Sequence, residues 1–192
     1  GMDLTDHDVH VFQDRVLHFY QEHGKDYPWR NTRNPYHILI SEFMLQQTQT
    51  ERAVPKYLAF IEKYPEPGSL ASAPFREVLA LWKGLGYNRR AMYLHRTVAL
   101  IHREYGGAVP RDHMVLRSFP GLGDYSSKAV AAFAYNLPLV FIETNIRTVY
   151  IHHFFPSADG VRDRDLLPFI GRTLWKDDTR TWYYALMDYG VH

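Results

Sequence analysis

Apolar positions recur at helical spacing along almost the whole chain. Between positions 8 and 23, Val9, Phe12, Val16 and Leu17, with Phe19 or Tyr20, fall on one face, and Gly24 marks a stop. The segment KDYPWRNTRNPY holds two prolines and several turn formers, which predicts an extended connector. Positions 36 to 45 form an apolar run and predict a buried helix. A second helix opens at Gln49 or Thr50, with Pro55 in or near its first turns, where proline is tolerated. Ser69 is a candidate cap for a short helix. A helix from Ala73 or Pro74 follows as far as Lys83, and another from Asn88 to Tyr105, closed by Gly106 and Gly107. Downstream, the spacing predicts helices over 125–135, 145–155, 165–175 and 179–189. No stretch alternates over six residues with β-branched enrichment. The predicted class is therefore all-α, about ten short helices without an internal repeat.

Composition narrows the chemistry more than the fold. The 192 residues contain no cysteine, which excludes disulfides, thiolate zinc sites and a cysteine-ligated iron–sulfur cluster within them. No apolar run approaches the ~20 residues that a membrane span requires, and the first residues are acidic and polar, so the expectation is a soluble, non-secreted protein. A net charge of +1 is no nucleic-acid signature by itself, but its distribution is uneven: Arg89 and Arg90 follow a glycine turn in KGLGYNRRA, while acids gather in DGVRDRD and WKDD.

Two glycine turns open helices. In SFPGLGDYSSKAVAAF, a helix ending near Ser118 and one beginning at Tyr125 flank PGLGD, a geometry that presents backbone N–H groups to an anion. With no preceding strand and no GK[ST], the Rossmann and P-loop readings both fail. The alternative is a plain helix–helix turn whose glycines supply positive φ. A second such turn upstream, beside Arg89 and Arg90, adds weight to a surface facing phosphodiesters.

Two acids stand in apolar surroundings. Glu42 lies in ILISEFMLQQ, where burial raises a carboxyl toward the range of a general acid; the alternative is an edge residue paired with a neighbouring arginine. Glu143 ends LPLVFIE immediately before a helix start and is a candidate cap, ionised where Glu42 stays protonated. Such a split suits acid-plus-stabiliser catalysis at an acetal carbon, N-glycosidic carbons included.

In order, PWR (28–30), SEFMLQQTQT (41–50), LWKGLGYNRRA (81–91), FPGLGDYSSKA (119–129), ETNIRTV (143–149) and ALMDYG (185–190) resemble the helix-hairpin-helix (HhH-GPD) DNA glycosylases, and among them the MutY-like adenine glycosylases. The resemblance covers nearly the whole chain. It implies two helical lobes with an active-site cleft between them. One is a six-helix barrel over 28–137 with the helix-hairpin-helix at about 112–135; the other is formed by 1–27 plus 138–192. It further implies a short form without the iron–sulfur cluster and without the C-terminal domain that reads 8-oxoguanine.

Carried over by position, Glu42 is the general acid, Glu143 the carboxylate that stabilises the sugar cation, and Tyr125 and Asn145 the groups that fix Glu143. Trp29, Arg30, Leu45 and Tyr184 border the base pocket. Gln46, Gln47, Thr48, Arg89 and Lys128 face DNA, with Tyr87 as a wedge in the base stack. Pro120, Gly121, Leu122 and Gly123 anchor a phosphate, and a structural Na+ or K+ at the hairpin 119–124 is the one ion implied; no metal or other cofactor enters the chemistry. Strand-cleaving relatives place a lysine where Tyr125 stands, and a phenol cannot form the Schiff base, so the resemblance implies a monofunctional enzyme. Two departures stand out: ETN replaces the usual DGN or DVN, which puts the carboxylate at 143 one methylene farther out, and Tyr184 stands where adenine enzymes carry Gln or Glu. The implied activity is base-excision repair: removal of a mispaired base from duplex DNA, adenine opposite guanine or 8-oxoguanine first. Thymine or uracil removal and a catalytically impaired DNA-binding homologue are the alternatives. The implied setting is a cytoplasmic monomer, nucleoid-associated if prokaryotic, without a membrane partner.

Overall fold

The computed structural model describes residues 3–191. Among them are eleven α-helices, two 3-10 turns and no strand, and no helix is long and apolar enough to cross a membrane. The chain divides into two compact units, Gly1–Lys25 with Asn136–His192 and Asp26–Tyr135.

The unit built from both ends contains α1 (Asp6–His23), α9 (Thr144–Phe154), α10 (Asp163–Thr173) and α11 (Thr179–Tyr189). Thr5 starts α1 through a capping box: its hydroxyl accepts from the Asp8 N–H, and the Asp8 carboxylate accepts from the Thr5 N–H, both at 3.1 Å. The buried face of α1, Val9, Phe12 and Val16, is the one its spacing predicts. Phe12 packs edge-on to Tyr150 at 5.4 Å and Trp182 at 5.9 Å and tilted against Phe154 at 5.1 Å. Fully burying such a ring contributes ~1.5–3 kcal/mol. The apolar run LPLVFIE is not helical; Leu139 O accepts a 2.7 Å bond from the Tyr183 hydroxyl, and Phe141 is stacked on Tyr183 at 4.0 Å.

The second unit contains α2 (Pro35–Leu45), α3 (Thr50–Lys63), α4 (Pro67–Ala71), α5 (Phe75–Trp82), α6 (Asn88–Tyr105), α7 (His113–Arg117) and α8 (Asp124–Tyr135): seven α-helices, two of only five residues. Its axis is α2, capped by Asn34, whose side chain accepts from the Tyr36 and His37 N–H groups, with Pro35 at its first position. From Ile38 to Met44 every residue is buried, as expected of a helix apolar all round, and α3, α6 and α8 pack on it.

Three local expectations need correction. Pro28–Arg30 forms a 3-10 turn inside the predicted connector. Ser69 does not cap α4; it occupies the third helical position, and Glu66 is the cap, because Pro67 already fixes the first turn. Helices α9 and α10 begin one and two residues before their predicted starts, since Glu143 and Arg162 supply the caps.

Candidate functional site

Glu42 sits on the buried middle of α2, only 7% exposed. The carbonyls that end this helix have no partner within it, and Arg90 from α6 supplies one. Its Nη1 donates to Phe43 O at 3.0 Å, to Met44 O at 2.8 Å and to Gln46 O. Its Nη2 donates to Thr48 Oγ1 at 2.7 Å, Leu85 O at 3.2 Å and Gly86 O at 3.4 Å. The reading of Arg90 as phosphate-facing is thereby overturned: it is buried, because six oxygens inside the unit claim its guanidinium, whereas Arg89 is exposed.

The loop after α2 divides its three residues. Gln46 turns inward and donates to Gly121 O at 3.0 Å and Ser126 Oγ at 3.1 Å, so it ties α2 to the hairpin. Thr48 is buried and donates to Leu85 O at 3.4 Å. Gln47 alone is exposed, at φ 61°, and Tyr87 before α6, itself 62% exposed, takes the same left-handed region at φ 51°. Both line a groove of about 830 Å³ whose cations are Arg52, Arg76 and Lys83.

The hairpin joins α7 to α8 through Phe119–Gly123. Gly121 has φ +81°, and a Cβ there would meet Phe43 Cε1 at 2.6 Å and Tyr93 Cβ at 2.8 Å, so only glycine fits. Gly123 is different: its φ is ordinary and no atom lies within 4 Å of an added Cβ. Standing before Asp124, it offers no side chain to cap the first N–H groups of α8, which suits an anion there. Pro120 O accepts from Thr97 at 2.8 Å and Gly121 O from Gln46, each keeping a second lone pair. Carbonyl oxygens are the donors that suit a hard monovalent cation, and those of Phe119 to Gly123 would be its ligands at this turn. Lys128 pairs with Asp124 at 3.6 Å, one turn back on α8, and Tyr125 is half-buried in its first turn.

At the other carboxylate, Glu143 caps α9, its Oε1 accepting from the Ile146 N–H at 2.8 Å. Burial raises its pKa from the ordinary carboxyl value, outweighing the Ile146 and Asn145 N–H groups and the Arg147 charge, which lower it. Asn145 follows in the first turn and is backed by Gly190, where a Cβ would meet Asn145 O at 2.4 Å and Asn145 Cβ at 2.8 Å. Gly190→Ala is expected to cost ~1–3 kcal/mol of stability by forcing the start of α9 aside, whereas Gly123→Ala leaves the melting temperature nearly unchanged; thermal denaturation of both checks this. Tyr184 is buried on α11.

Trp29 is buried, stacked on Tyr27 at 5.1 Å and edge-on to Tyr57 at 5.5 Å. Arg30 lies over the Tyr27 ring at 5.1 Å, and Leu45 is half-buried at the end of α2. Within the second unit the fold thus gathers Glu42, the α2 loop, Tyr87 and the hairpin, and within the first Glu143 and Asn145. Sequence reasoning missed the inward turn of Arg90 and the carboxylate of Asp188, which is buried and accepts from the Lys25 N–H at 2.8 Å. A charged residue in the otherwise apolar ALMDYG was the available signal.

This chain is 39% identical over 178 residues to the adenine DNA glycosylase of Mycolicibacterium smegmatis, covering 92% of this chain and 61% of that one. It is 31% identical over 177 residues to the thymine/uracil-DNA glycosylase of Pyrobaculum aerophilum, covering 91% of this chain and 73% of that one. It therefore spans between half and two thirds of the length of the first adenine glycosylases that it matches. Among solved structures, a thermostable thymine-DNA glycosylase superposes with a TM-score of 0.88 at 28% identity, over 98% of this chain and 88% of that one. Residues 40–167 match the family model of HhH-GPD superfamily base excision DNA repair proteins, and the chain belongs to that family.

Proposed function

We propose that this protein is a monofunctional DNA glycosylase, acting as a monomer on duplex DNA, that hydrolyses the N-glycosidic bond of adenine mispaired with guanine or 8-oxoguanine. The observation that carries the reading is Glu42: a carboxylate 7% exposed in the buried middle of α2, in a chain 39% identical over 92% of its length to an adenine glycosylase. A buried carboxylic acid is a proton donor suited to a purine leaving group. Glu42 protonates the base, the glycosidic bond breaks with its electron pair going to the base, and the sugar is left with oxocarbenium-like charge. Glu143, held at the N-terminus of α9, stabilises that charge. Water adds at C1′, and the proton it releases balances the one given to the base. Tyr125 offers no amine for a covalent sugar adduct, so the strand stays intact. A Na+ or K+ on the hairpin carbonyls would stiffen the phosphate anchor and takes no part in the bond breaking.

Likeness to the Pyrobaculum aerophilum protein supports a second reading, thymine or uracil removal, since the chain covers 73% of that relative. Single-turnover assays on duplexes with adenine opposite guanine or 8-oxoguanine, and thymine or uracil opposite guanine, decide the matter. An alkali-labile abasic site is expected from the adenine duplexes first, with no cleavage before alkali. Faster release of thymine or uracil overturns the adenine assignment, and release from none of them overturns the activity.

A further inference from the structure

We propose that Arg90 is a positioning residue that holds Gln47 and Tyr87 in exposed, left-handed poses from which they enter a duplex; the inference rests on the DNA-glycosylase reading above. Left-handed backbone is costly for residues other than glycine, and it persists only where the surroundings fix it. Here two such residues stand in separate loops, Gln47 at φ 61° and Tyr87 at φ 51°. One guanidinium fixes both loops. It donates to the carbonyl before Gln47 and to the hydroxyl after it, at Gln46 and Thr48, and to the two carbonyls before Tyr87, at Leu85 and Gly86. The Thr48 hydroxyl passes a further hydrogen bond to Leu85 O, closing a link between the loops. Arg90 Cζ also lies 5.5 Å from the centroid of the Tyr87 ring and 5.3 Å from that of Trp82, so the guanidinium charge is over both rings. Both loops line the groove that carries Arg52, Arg76 and Lys83. Side chains that must unstack bases gain from being rigid before contact, because ordering them on binding subtracts from affinity.

Only a planar fork with several donors can serve carbonyls on both loops at once; a lysine ammonium keeps the charge and loses the geometry. Arg90→Lys is therefore the informative variant, with Thr48→Val as a milder one that removes the shared hydroxyl and leaves the guanidinium. Each is checked for folding by circular dichroism, then titrated with a duplex carrying 2-aminopurine in place of the mispaired adenine, whose fluorescence reports extrusion. The expected result for Arg90→Lys is about tenfold weaker binding and a reduced fluorescence amplitude even at saturating protein. Thr48→Val moves both readouts the same way by less. A positive charge that merely met a phosphate would be replaced well by lysine, and a merely structural residue would lower the melting temperature without changing amplitude at saturation. Full amplitude in folded Arg90→Lys overturns the inference, as does full amplitude in Thr48→Val if the lysine variant does not fold. Wild-type protein that neither binds nor extrudes overturns the glycosylase reading along with it.

Discussion

Replacing Glu42 by Gln is expected to slow single-turnover release of adenine by ~10²–10⁴-fold while leaving duplex affinity within a few fold. The amide is nearly isosteric, so packing on α2 survives; what it lacks is a proton acidic enough to give to the purine. A group that acts only as the bond breaks lowers the chemical rate without weakening the ground-state complex. The measurement pairs a rapid-quench time course at saturating protein with an equilibrium binding curve on the same mismatched duplex. Unchanged excision by Glu42→Gln would remove Glu42 from the chemistry and with it the main support for the proposed reaction. The opposite failure, loss of binding with intact chemistry at saturation, would make Glu42 a contact residue.

What the sequence made legible follows from which interactions are local. The bounds of α6 were readable because Gly106, at φ 61°, ends the helix in the left-handed conformation that glycine favours. The all-α class rested on periodicity; on α1 burial follows it at Val9, Phe12 and Val16, while Leu17, Phe19 and Tyr20 are only half-buried. Ser69 was misread because serine serves equally at the cap and at the third position, and the choice was made by Glu66 and Pro67.

Long-range chemistry was not legible. Arg89 and Arg90 are neighbours of the same type in the same turn, and nothing in their spacing says that one meets solvent while the other caps a helix that ends 45 residues earlier, at Leu45. Gln46, Gln47 and Thr48 likewise read as one polar run, yet only Gln47 points outward, because Gly121 and Leu85 offer carbonyls to its two neighbours. The need for glycine at 190, the approach of Asn145 O to 2.4 Å of a would-be Cβ, requires coordinates.

Glu143 shows how local and non-local effects oppose one another, and its variants should separate them. Its place before α9 predicts an ionised cap, and the 2.8 Å bond from Ile146 is there, but burial dominates and lifts the pKa. A carboxyl with a raised folded-state pKa holds its proton more tightly folded than unfolded. As pH climbs past the ordinary carboxyl value the unfolded chain ionises freely while the folded one must charge a desolvated group. Stability is then lost through the window up to the raised value, and the full cost remains at neutral pH. Glu143→Gln keeps an oxygen for the Ile146 N–H and has nothing to ionise, so it should melt higher than wild type near neutral pH, the gap closing as pH falls below the ordinary carboxyl value. The same variant should lose ~10²–10³-fold in excision, because a neutral amide cannot stabilise the sugar cation as a carboxylate does. Gain of stability with loss of turnover marks a charge kept for chemistry; loss of both marks a structural cap. Glu143→Asp retains charge and a good capping group, and a carboxylate displaced by ~1 Å can cost ~100-fold, so its rate should fall between wild type and Glu143→Gln. Faster release by the aspartate variant would mean that the extra methylene of Glu143 places its carboxylate beyond its best reach, and that the chain carries a slowed site on an intact scaffold.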